Sequence, residues 1–432
     1  MVTATRWAAG DIVRRLAAIC GARFARSAGA ADDVAGTPAR WVAAPATAMG
    51  LTEVLRVAAE HDLSLIARGA GTKFDWGSSP SRADIVVDIG RLAGVWHQPP
   101  GELVAEVGAG TPIRAVQAVL ARHGRRLPLD PPSAGATIGG VVAADEAGPL
   151  RHRYGIPGDQ MLGVTYVDAD GHLIRSDAST ADGGAARRLL SGSQGALGVL
   201  VSATLRVQPA PASRLWVSRS VWTPLEAHDL VQAVLAGPVG PSAVEIDLPV
   251  SRAAAVPRQQ GPSGPQGAGT LTVLVEGGPS EVRERAAQLI SLTGGDARAE
   301  GDPPPWWRRY PFGPDDVALR IEVPIPHVHA AIYALRDAAG VAVPVRGSVG
   351  VGVIHAALPG TLPPGRIDAI LAAVRGVLLA RGGTCVVMAA PAPVRDAVDL
   401  WGALPGLPVL RTVKERFDPQ RRLAPGRFVG GI

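Results

Sequence analysis

Apolar positions along the first half of the chain switch between helical and strand periods, and the switches place its elements. Asp11 to Cys20 predicts an amphipathic helix, and a polar, Ala/Gly/Asp-rich stretch follows to about residue 40. Trp41-Val42-Ala43 predicts a short strand, and Thr47 caps a helix whose Leu51, Val54, Leu55 and Ala58 share one face. Leu63 to Ala67 predicts a strand that delivers the glycine-rich turn Arg68-Gly69-Ala70-Gly71-Thr72-Lys73 at its carboxyl end. Open α/β sheets bind ligands at such ends. Ile85 to Ile89 and Leu103 to Val107 predict two further strands. Gly108-Ala109-Gly110 then turns the chain into a helix with Thr111 as cap, Pro112 at its first position, Ile113, Val116 and Leu120 on its core face, and Gly124 at its end.

A second small-residue stretch runs from Asp130 to Ala144, with Thr137 as the cap of a helix starting near Gly139. Unpaired amides at such an N-terminus suit an anion, and small side chains also permit tight helix-on-sheet packing. Met161 to Val167 and Leu173 to Ser176 flank Asp168-Ala169-Asp170-Gly171 as a hairpin. A third glycine cluster, Gly192 to Val199, leads into a strand from Val199 to Val207, and Gln208 to Ala212 reads as a boundary. Three glycine-rich loops in one α+β domain favour a large phosphate-bearing cofactor.

Beyond the boundary the pattern gives a strand Ala243 to Asp247, a Gly/Pro/Gln-rich loop from Pro257 to Gly269, a strand Thr270 to Val275 and a helix Ser280 to Leu292. Strand Val317 to Ile325, helix Val328 to Ala339, strands Val341 to Val345 and Val349 to Ala357, helix Arg366 to Ala380 and strand Thr384 to Met388 complete it. That order suits an antiparallel sheet with helices on one face. The expected division is an N-terminal segment over 1–36, a cofactor domain over 37–211, a second domain over 212–410 and a tail over 411–432.

Composition narrows the function classes. Hydrophobic content of 47% against 19% charged residues describes packed domains. A formal charge of +5 from 43 basic and 38 acidic residues, with no basic run and few aromatics, argues against nucleic acid as a partner. Lysine is nearly absent. Cys20 and Cys385 form no Cys-x-x-Cys, so no cysteine-built metal or iron–sulfur centre is expected, and their usage suits a reducing compartment. No apolar run spans a membrane and no basic-then-apolar leader is visible, which makes a cytoplasmic location the expectation.

Four groups of residues then stand in a telling order: Arg68-Gly69-Ala70-Gly71-Thr72, Ala136-Thr137-Ile138-Gly139-Gly140, Arg153-Tyr154-Gly155 with Asp159, and Gly195-Ala196-Leu197-Gly198-Val199. Together they resemble the FAD-binding domain of the vanillyl-alcohol-oxidase (PCMH-type) flavoprotein family. Arg416-Phe417-Asp418-Pro419 and Leu423 to Phe428 resemble the tail of its glycolate oxidase and D-lactate dehydrogenase branch. Asp316 to Arg320 and Pro391 to Trp401 are most similar to FAD-binding subunits of bacterial glycolate oxidases.

The resemblance implies an α+β fold, a PCMH-type FAD-binding domain followed by a ferredoxin-like antiparallel cap domain. It implies that Arg68, Gly69, Ala70, Gly71, Thr72 and Lys73 wrap the FAD pyrophosphate. Asp130, Pro132, Ser133, Thr137, Ile138, Gly139, Gly140 and Ala143 would line pyrophosphate and flavin ring, and Gly198 and Val199 would meet a ring edge. Relatives with covalent flavin carry a histidine where this chain has Thr72, which implies noncovalent FAD. The family's Lys-Asn-x-x-Gly-Tyr-Asp stretch is replaced by Asp182-Gly183-Gly184-Ala185-Ala186.

Catalytic relatives carry Gly-His-x-Gly-Asp-Gly-Asn-x-His; here the matching residues run Gly347-Ser348-Val349-Gly350-Val351-Gly352-Val353-Ile354-His355. Ser348, Val351 and Val353 offer no metal-ligand set, so no metal site is expected. His355 is then a candidate base, or a hydrogen-bonded histidine on a half-buried strand. Arg320 is a candidate carboxylate clamp, or one half of a structural ion pair. His123, His152, His327 and His329 form no ligand spacing. Trp306-Trp307-Arg308-Arg309-Tyr310 suits a partner patch or packing under the cap domain.

Three expectations follow. The first is an FAD-binding subunit of a glycolate oxidase-like complex, oxidising a small 2-hydroxy acid beside a catalytic flavoprotein subunit and an iron–sulfur subunit, cytoplasmic or peripheral at the inner membrane face through those partners. The second is a self-sufficient 2-hydroxyacid dehydrogenase or oxidase. The third is a cofactor-free scaffold of the same fold.

Overall fold

The computed structural model describes residues 9–99, 101–182, 184–250 and 269–432. Its contacts divide the chain into two units. The first comprises the described residues up to Glu146 with Ile156–Ala210 and Leu404–Ile432, and the second comprises Ala147–Gly155 and Pro211–Ala403.

The first unit begins with α1 (Ala9–Cys20), β1 (Ala25–Ser27), β2 (Trp41–Ala43), α2 (Ala48–Glu60), β3 (Leu65–Arg68) and β4 (Ile85–Asp88). These strands form a sheet in the order β1-β2-β4-β3, with β2 and β3 parallel to β4 and β1 antiparallel to β2. The parallel pairs require the α2 crossover, which Thr47 caps by accepting from the Gly50 amide at 3.0 Å. Then come β5 (Val95–His97), β6 (Val104–Gly108), α3 (Ile113–Ala121), β7 (Arg125–Arg126) and α4 (Ile138–Ala144), then α5 (Arg151–Tyr154), which belongs to the second unit, and α6 (Pro157–Gln160). The hairpin β8 (Met161–Val167) and β9 (Leu173–Asp177), α7 (Ala185–Leu190), β10 (Val199–Arg206) and β11 (Gln208–Pro209) complete this stretch. An antiparallel sheet β5-β6-β10-β8-β9 shares one apolar core with the parallel sheet.

Three expectations for this unit change. Residues 9–36 are part of it: Ile12, Leu16 and Cys20 of α1 lie in its core and β1 extends its sheet. Thr111 does not cap α3; its hydroxyl donates to the Gly108 carbonyl at 2.6 Å and accepts from the Gly94 amide at 2.8 Å, holding the preceding turn. Residues 147–155 leave the expected cofactor domain because Leu150 packs with Trp216 and Trp307 of the second unit, while 404–410 belong with the first.

The second unit contains β12 (Ser213–Val221), α8 (Pro224–Ala236), β13 (Ala243–Leu248), β14 (Gly269–Gly277), α9 (Pro279–Thr293) and β15 (Arg298–Glu300). It continues with β16 (Asp316–Glu322), α10 (Val328–Ala339), β17 (Val345–Ser348), β18 (Val353–Pro359), α11 (Pro364–Leu379), β19 (Thr384–Ala389) and α12 (Ala392–Arg395). Each half reads βαββαβ, and the eight strands join in the order β15-β12-β14-β13-β17-β18-β16-β19, every ladder antiparallel. The unit is therefore two ferredoxin-like halves fused through β13 and β17. Apolar residues of α8 to α11 share a core with Val217, Val273, Val244, Leu319 and Ile354, one face of the sheet. The single strand expected over 349–357 is broken: residues 349–351 form a tight turn, and Gly352 takes φ +75° where a Cβ would lie 1.9 Å from the Val323 carbonyl. The loop expected over 257–269 lies, except for Gly269, outside the described residues. The tail returns to the first unit through α13 (Leu407–Phe417) and a segment that pairs Leu65 with Leu423.

Candidate functional site

In the first unit a groove open to solvent runs along the carboxyl end of β3. Its wall brings together Arg68 to Lys73 with Thr137, Gly139, Gly140, Ala143 and Gly198. Asp130, Pro132, Ser133, Ile138 and Val199 are not part of that wall; Ile138 and Val199 turn their side chains into the core. Sequence reasoning did not single out Phe74, Gln194, Leu200 or Arg427, which do line it.

Hydrogen bonds show which backbone remains to meet a ligand. The first amides of α4 are spent: Ile138 donates to Thr111 O at 2.9 Å, Gly139 to Ala109 O at 2.8 Å, and Gly140 to Thr137 Oγ1 at 3.3 Å. Of the two readings left open for this stretch, an anion site at the helix start and tight helix-on-sheet packing, these bonds favour the packing. Among the described residues, by contrast, the amides of Ala70, Gly71, Thr72 and Lys73 have no protein acceptor. Four successive free amides in a glycine loop make a concave donor surface suited to phosphate oxygens. Small residues let a ligand lie against backbone. Gly69 approaches so closely that a Cβ there would lie 2.2 Å from Thr137 Oγ1.

Side chains around the loop are locked by charge. Arg68 donates to Asp32 at 2.8 Å and to Asp88 at 3.1 Å, so its guanidinium braces the strand end. Arg26 and Arg68 together hold the buried Asp32 carboxyl far below the usual carboxylate range. Lys73 pairs with Glu146 and donates to Ser133 Oγ at 3.0 Å. Burial pulls its ammonium below the ordinary value, and Glu146 opposes that pull. With side-chain exposures of 13% and 2%, this is a buried pair, and removing one partner strands the other's charge. Glu146→Ala is expected to cost the first unit about 3–5 kcal/mol, and the Lys73→Met/Glu146→Leu double variant much less, in chemical unfolding. Equal losses would show that the pair does not carry the effect.

The second unit has its own polar cluster, on the sheet face away from the helices. Cross-strand register sets Asp247, Arg346, His355 and Arg320 in one row across β13, β17, β18 and β16. Arg346 donates to Asp247 at 2.8 Å and to the carbonyls of Arg309 and Tyr310 at 3.1 Å. Tyr310 stands edge-on to His355 at 5.0 Å between centroids. Arg320 pairs with Glu322. Ser348 is buried and bonded to Glu245, and Val353 is buried as well. Among the described residues no three His, Cys, Asp or Glu side chains converge as a metal set. Trp307 is buried edge-on to Trp216 at 6.3 Å between ring centroids, so that residue of 306–310 packs, while Arg308 and Arg309 are exposed.

Burial, reinforced by Arg320 and Arg151, pushes the His355 imidazole down to about 3, so it stays neutral at ordinary pH. His152, bonded to the Gly350 carbonyl at 3.2 Å, and His329, ring-to-ring with His228 at 4.5 Å, are also lowered, mainly by burial. The unfolded chain takes up protons near pH 6.5 that these folded sites refuse. Stability of the second unit is therefore full above that pH and falls as pH drops below it. The melting temperature between pH 8 and 5 should decline by about 2–4 °C per kcal/mol lost, and His329→Leu should flatten the decline. A pH-independent melting point would refute it.

Residues 39–177 match a family model described as "FAD binding domain". The chain is 29% identical to a D-lactate dehydrogenase of Archaeoglobus fulgidus over 39% of this chain and 38% of that one. It is 32% identical to glycolate oxidase subunit GlcE of Escherichia coli over 40% of this chain and 50% of the subunit. Glycolate oxidase subunit GlcD of Bacillus subtilis is 26% identical over 58% of this chain and 54% of its own length. The chain thus spans about half or less of the length of these relatives. A structure of p-cresol methylhydroxylase with substrate bound superposes with a TM-score of 0.73, covering 97% of this chain and 96% of that one at 15% identity. An alkyldihydroxyacetonephosphate synthase does so at 0.72, over 96% and 85%. Glycine loop, free amides and the family model agree: residues 39–177 are an FAD-binding domain, and FAD is its cofactor.

Proposed function

We propose that this chain is the FAD-binding subunit of a glycolate oxidase-like oxidoreductase, acting on a small 2-hydroxy acid and passing electrons to partner subunits. The observation that carries the reading is the row of unpartnered amides at Ala70 to Lys73, inside the matched domain. Those amides hold the FAD pyrophosphate, while Thr137, Gly139, Gly140, Ala143 and Gly198 supply the small-residue wall for a ring. Thr72 has no ring nitrogen with which to form a flavin bond, so the cofactor is held noncovalently. Bound FAD supplies a two-electron acceptor.

The second unit carries two candidate groups for a substrate of its own. His355, neutral and flanked by Arg320, would accept the proton of a substrate hydroxyl. Arg320 exchanges its Glu322 partner for the substrate carboxylate. The partners are a catalytic flavoprotein subunit and an iron–sulfur subunit; relatives from Escherichia coli and Bacillus subtilis are themselves named as subunits. Among the described residues no helix is long and apolar enough to cross a membrane, which suits a cytoplasmic location or attachment to the inner membrane face through those partners.

The test is a visible spectrum of the purified chain before and after acid precipitation, followed by dye-linked turnover of glycolate and D-lactate. Flavin that leaves entirely with the supernatant, and turnover only on adding partners, is the expected result. Turnover by the chain alone would favour the self-sufficient dehydrogenase, a reading supported by His355 and Arg320 standing opposite one another in register. A colourless chain that takes up no FAD would sink both and leave the scaffold.

A further inference from the structure

Only two of the chain's 43 basic residues are lysines, Lys73 and Lys414, and both are buried beside glycine loops of the cofactor groove. Lys73 lies in the first loop. Lys414 sits on α13 with 3% of its side chain exposed. Its ammonium spends all three N–H bonds inside the protein, on the Ala196 carbonyl at 2.8 Å, the Leu423 carbonyl at 2.7 Å and Asp418 at 2.7 Å. Ala196 lies inside the third glycine cluster, between groove residues Gly195 and Gly198. Asp418, fully buried, also accepts from the amides of Arg422 and Leu423 and so shapes the tail that Lys414 holds.

Farther along the same tail, Arg427 reaches the other loop. It donates to the Trp76 carbonyl at 2.8 Å and to the Lys73 and Ser78 carbonyls at 3.4 Å, just after the free amides of Ala70 to Lys73. Between these anchors the backbone joins β3, the strand that carries the first loop: Leu65 donates to Arg422 O at 2.7 Å and accepts from Ala424 at 2.8 Å. One short segment of the tail therefore fastens both glycine loops.

We infer that residues 414–427 form a latch on the cofactor groove, in which Lys414 and Arg427 are positioning residues whose docking and FAD binding stabilise one another. The inference rests on FAD occupying this groove. A compact ammonium with three radial donors fits the Ala196–Leu423–Asp418 cage, and a planar guanidinium does not, which accounts for a lysine in an arginine-rich chain. Because coupling is reciprocal, bound FAD must hold the tail down as strongly as the docked tail holds FAD.

Two lysines make the test direct. Brief acetylation of the full chain with acetic anhydride, read by mass spectrometry with and without FAD, reports Lys73 and Lys414 separately. Lys73 lines the groove and is shielded by FAD itself; Lys414 is absent from the groove wall and reacts only when the tail lifts. FAD is expected to slow Lys414 acetylation tenfold or more. Arg427→Met should weaken FAD binding about tenfold and speed Lys414 acetylation, with Arg427→Lys intermediate in both. Lys414 reacting at the same rate with and without bound FAD, or Arg427→Met binding FAD as tightly as the native chain, would overturn the latch alone. A native chain that binds no FAD would overturn the latch together with the cofactor reading.

Discussion

Gly69→Ala is expected to weaken FAD binding by about tenfold or more, equivalent to about 1.4 kcal/mol, while the second unit stays folded. The backbone at this position needs closeness to Thr137, since a methyl group would meet Thr137 Oγ1 at 2.2 Å and Thr137 Cβ at 3.3 Å. Thr137 is 4% exposed and caps α4 through its hydroxyl, so it yields only by giving up the Gly140 amide. A lost cap costs about 1 kcal/mol, and the added methyl also forces the first loop and α4 apart. Both line the groove. Flavin fluorescence titration of the apo-protein reads the affinity directly. Native affinity in the variant would mean that the groove tolerates a wider opening than its packing suggests, and the cofactor contact would have to be sought elsewhere.

The second large effect lies at His355. His355→Ala is expected to lower turnover by about 10²–10⁴-fold, the usual contribution of a positioned general base, with FAD content unchanged. Its imidazole is held down to about 3 by burial and by Arg320 and Arg151, so the neutral form dominates at every pH above about 4. The sign follows: acid does not switch this base off between pH 8 and 5, and the pH profile of kcat/KM should show no falling limb near 6.5 that vanishes in the variant. Such a limb would mean that the imidazole is solvated. Full turnover in His355→Ala with assembled partners would move the chemistry to a partner subunit and leave this chain as a carrier of FAD. Arg320→Lys separates the roles further: a point charge keeps attraction but loses the two-pronged grip on a carboxylate, so KM should rise more than kcat falls.

Much of the architecture is written in local pattern. The α2 face, the β8–β9 hairpin and the helix Val328–Ala339 follow from period and turn chemistry alone. What local pattern misread was where backbone hydrogen bonds go once distant segments meet. Thr111 has the position of a helix cap, yet its hydroxyl serves Gly94, seventeen residues upstream. The start of α4 reads equally as an anion site or as tight packing, and the carbonyls of Ala109 and Thr111 favour the packing.

The two elements that open the second unit, Ser213–Val221 and Pro224–Ala236, were missed for a different reason. Strand Ser213–Val221 buries both faces in part, Val217 toward the helices and Trp216 toward Trp307, so its apolar residues do not alternate. Without that strand the repeated βαββαβ pattern cannot be seen, although Thr223 and Pro224 do mark the start of α8. Lys414 escaped notice and Arg427 stood out only as part of the tail motif, because nothing near them in sequence hints at Ala196 or Trp76; only the folded tail brings them together.

The discontinuity of the first unit has a bearing on how the protein is made. Leu65 completes its backbone pairing with residues beyond Arg421, and Asp418, Lys414 and Arg427 close the same region. The second unit, by contrast, is complete by Ala403. On the ribosome residues 211–403 can therefore reach their final form before the first unit does. The cofactor unit keeps an unsealed sheet until residues 404–432 emerge. Cofactor loading is then a post-synthetic event, and stalled chains ending near residue 403 should carry a protease-resistant middle and no flavin.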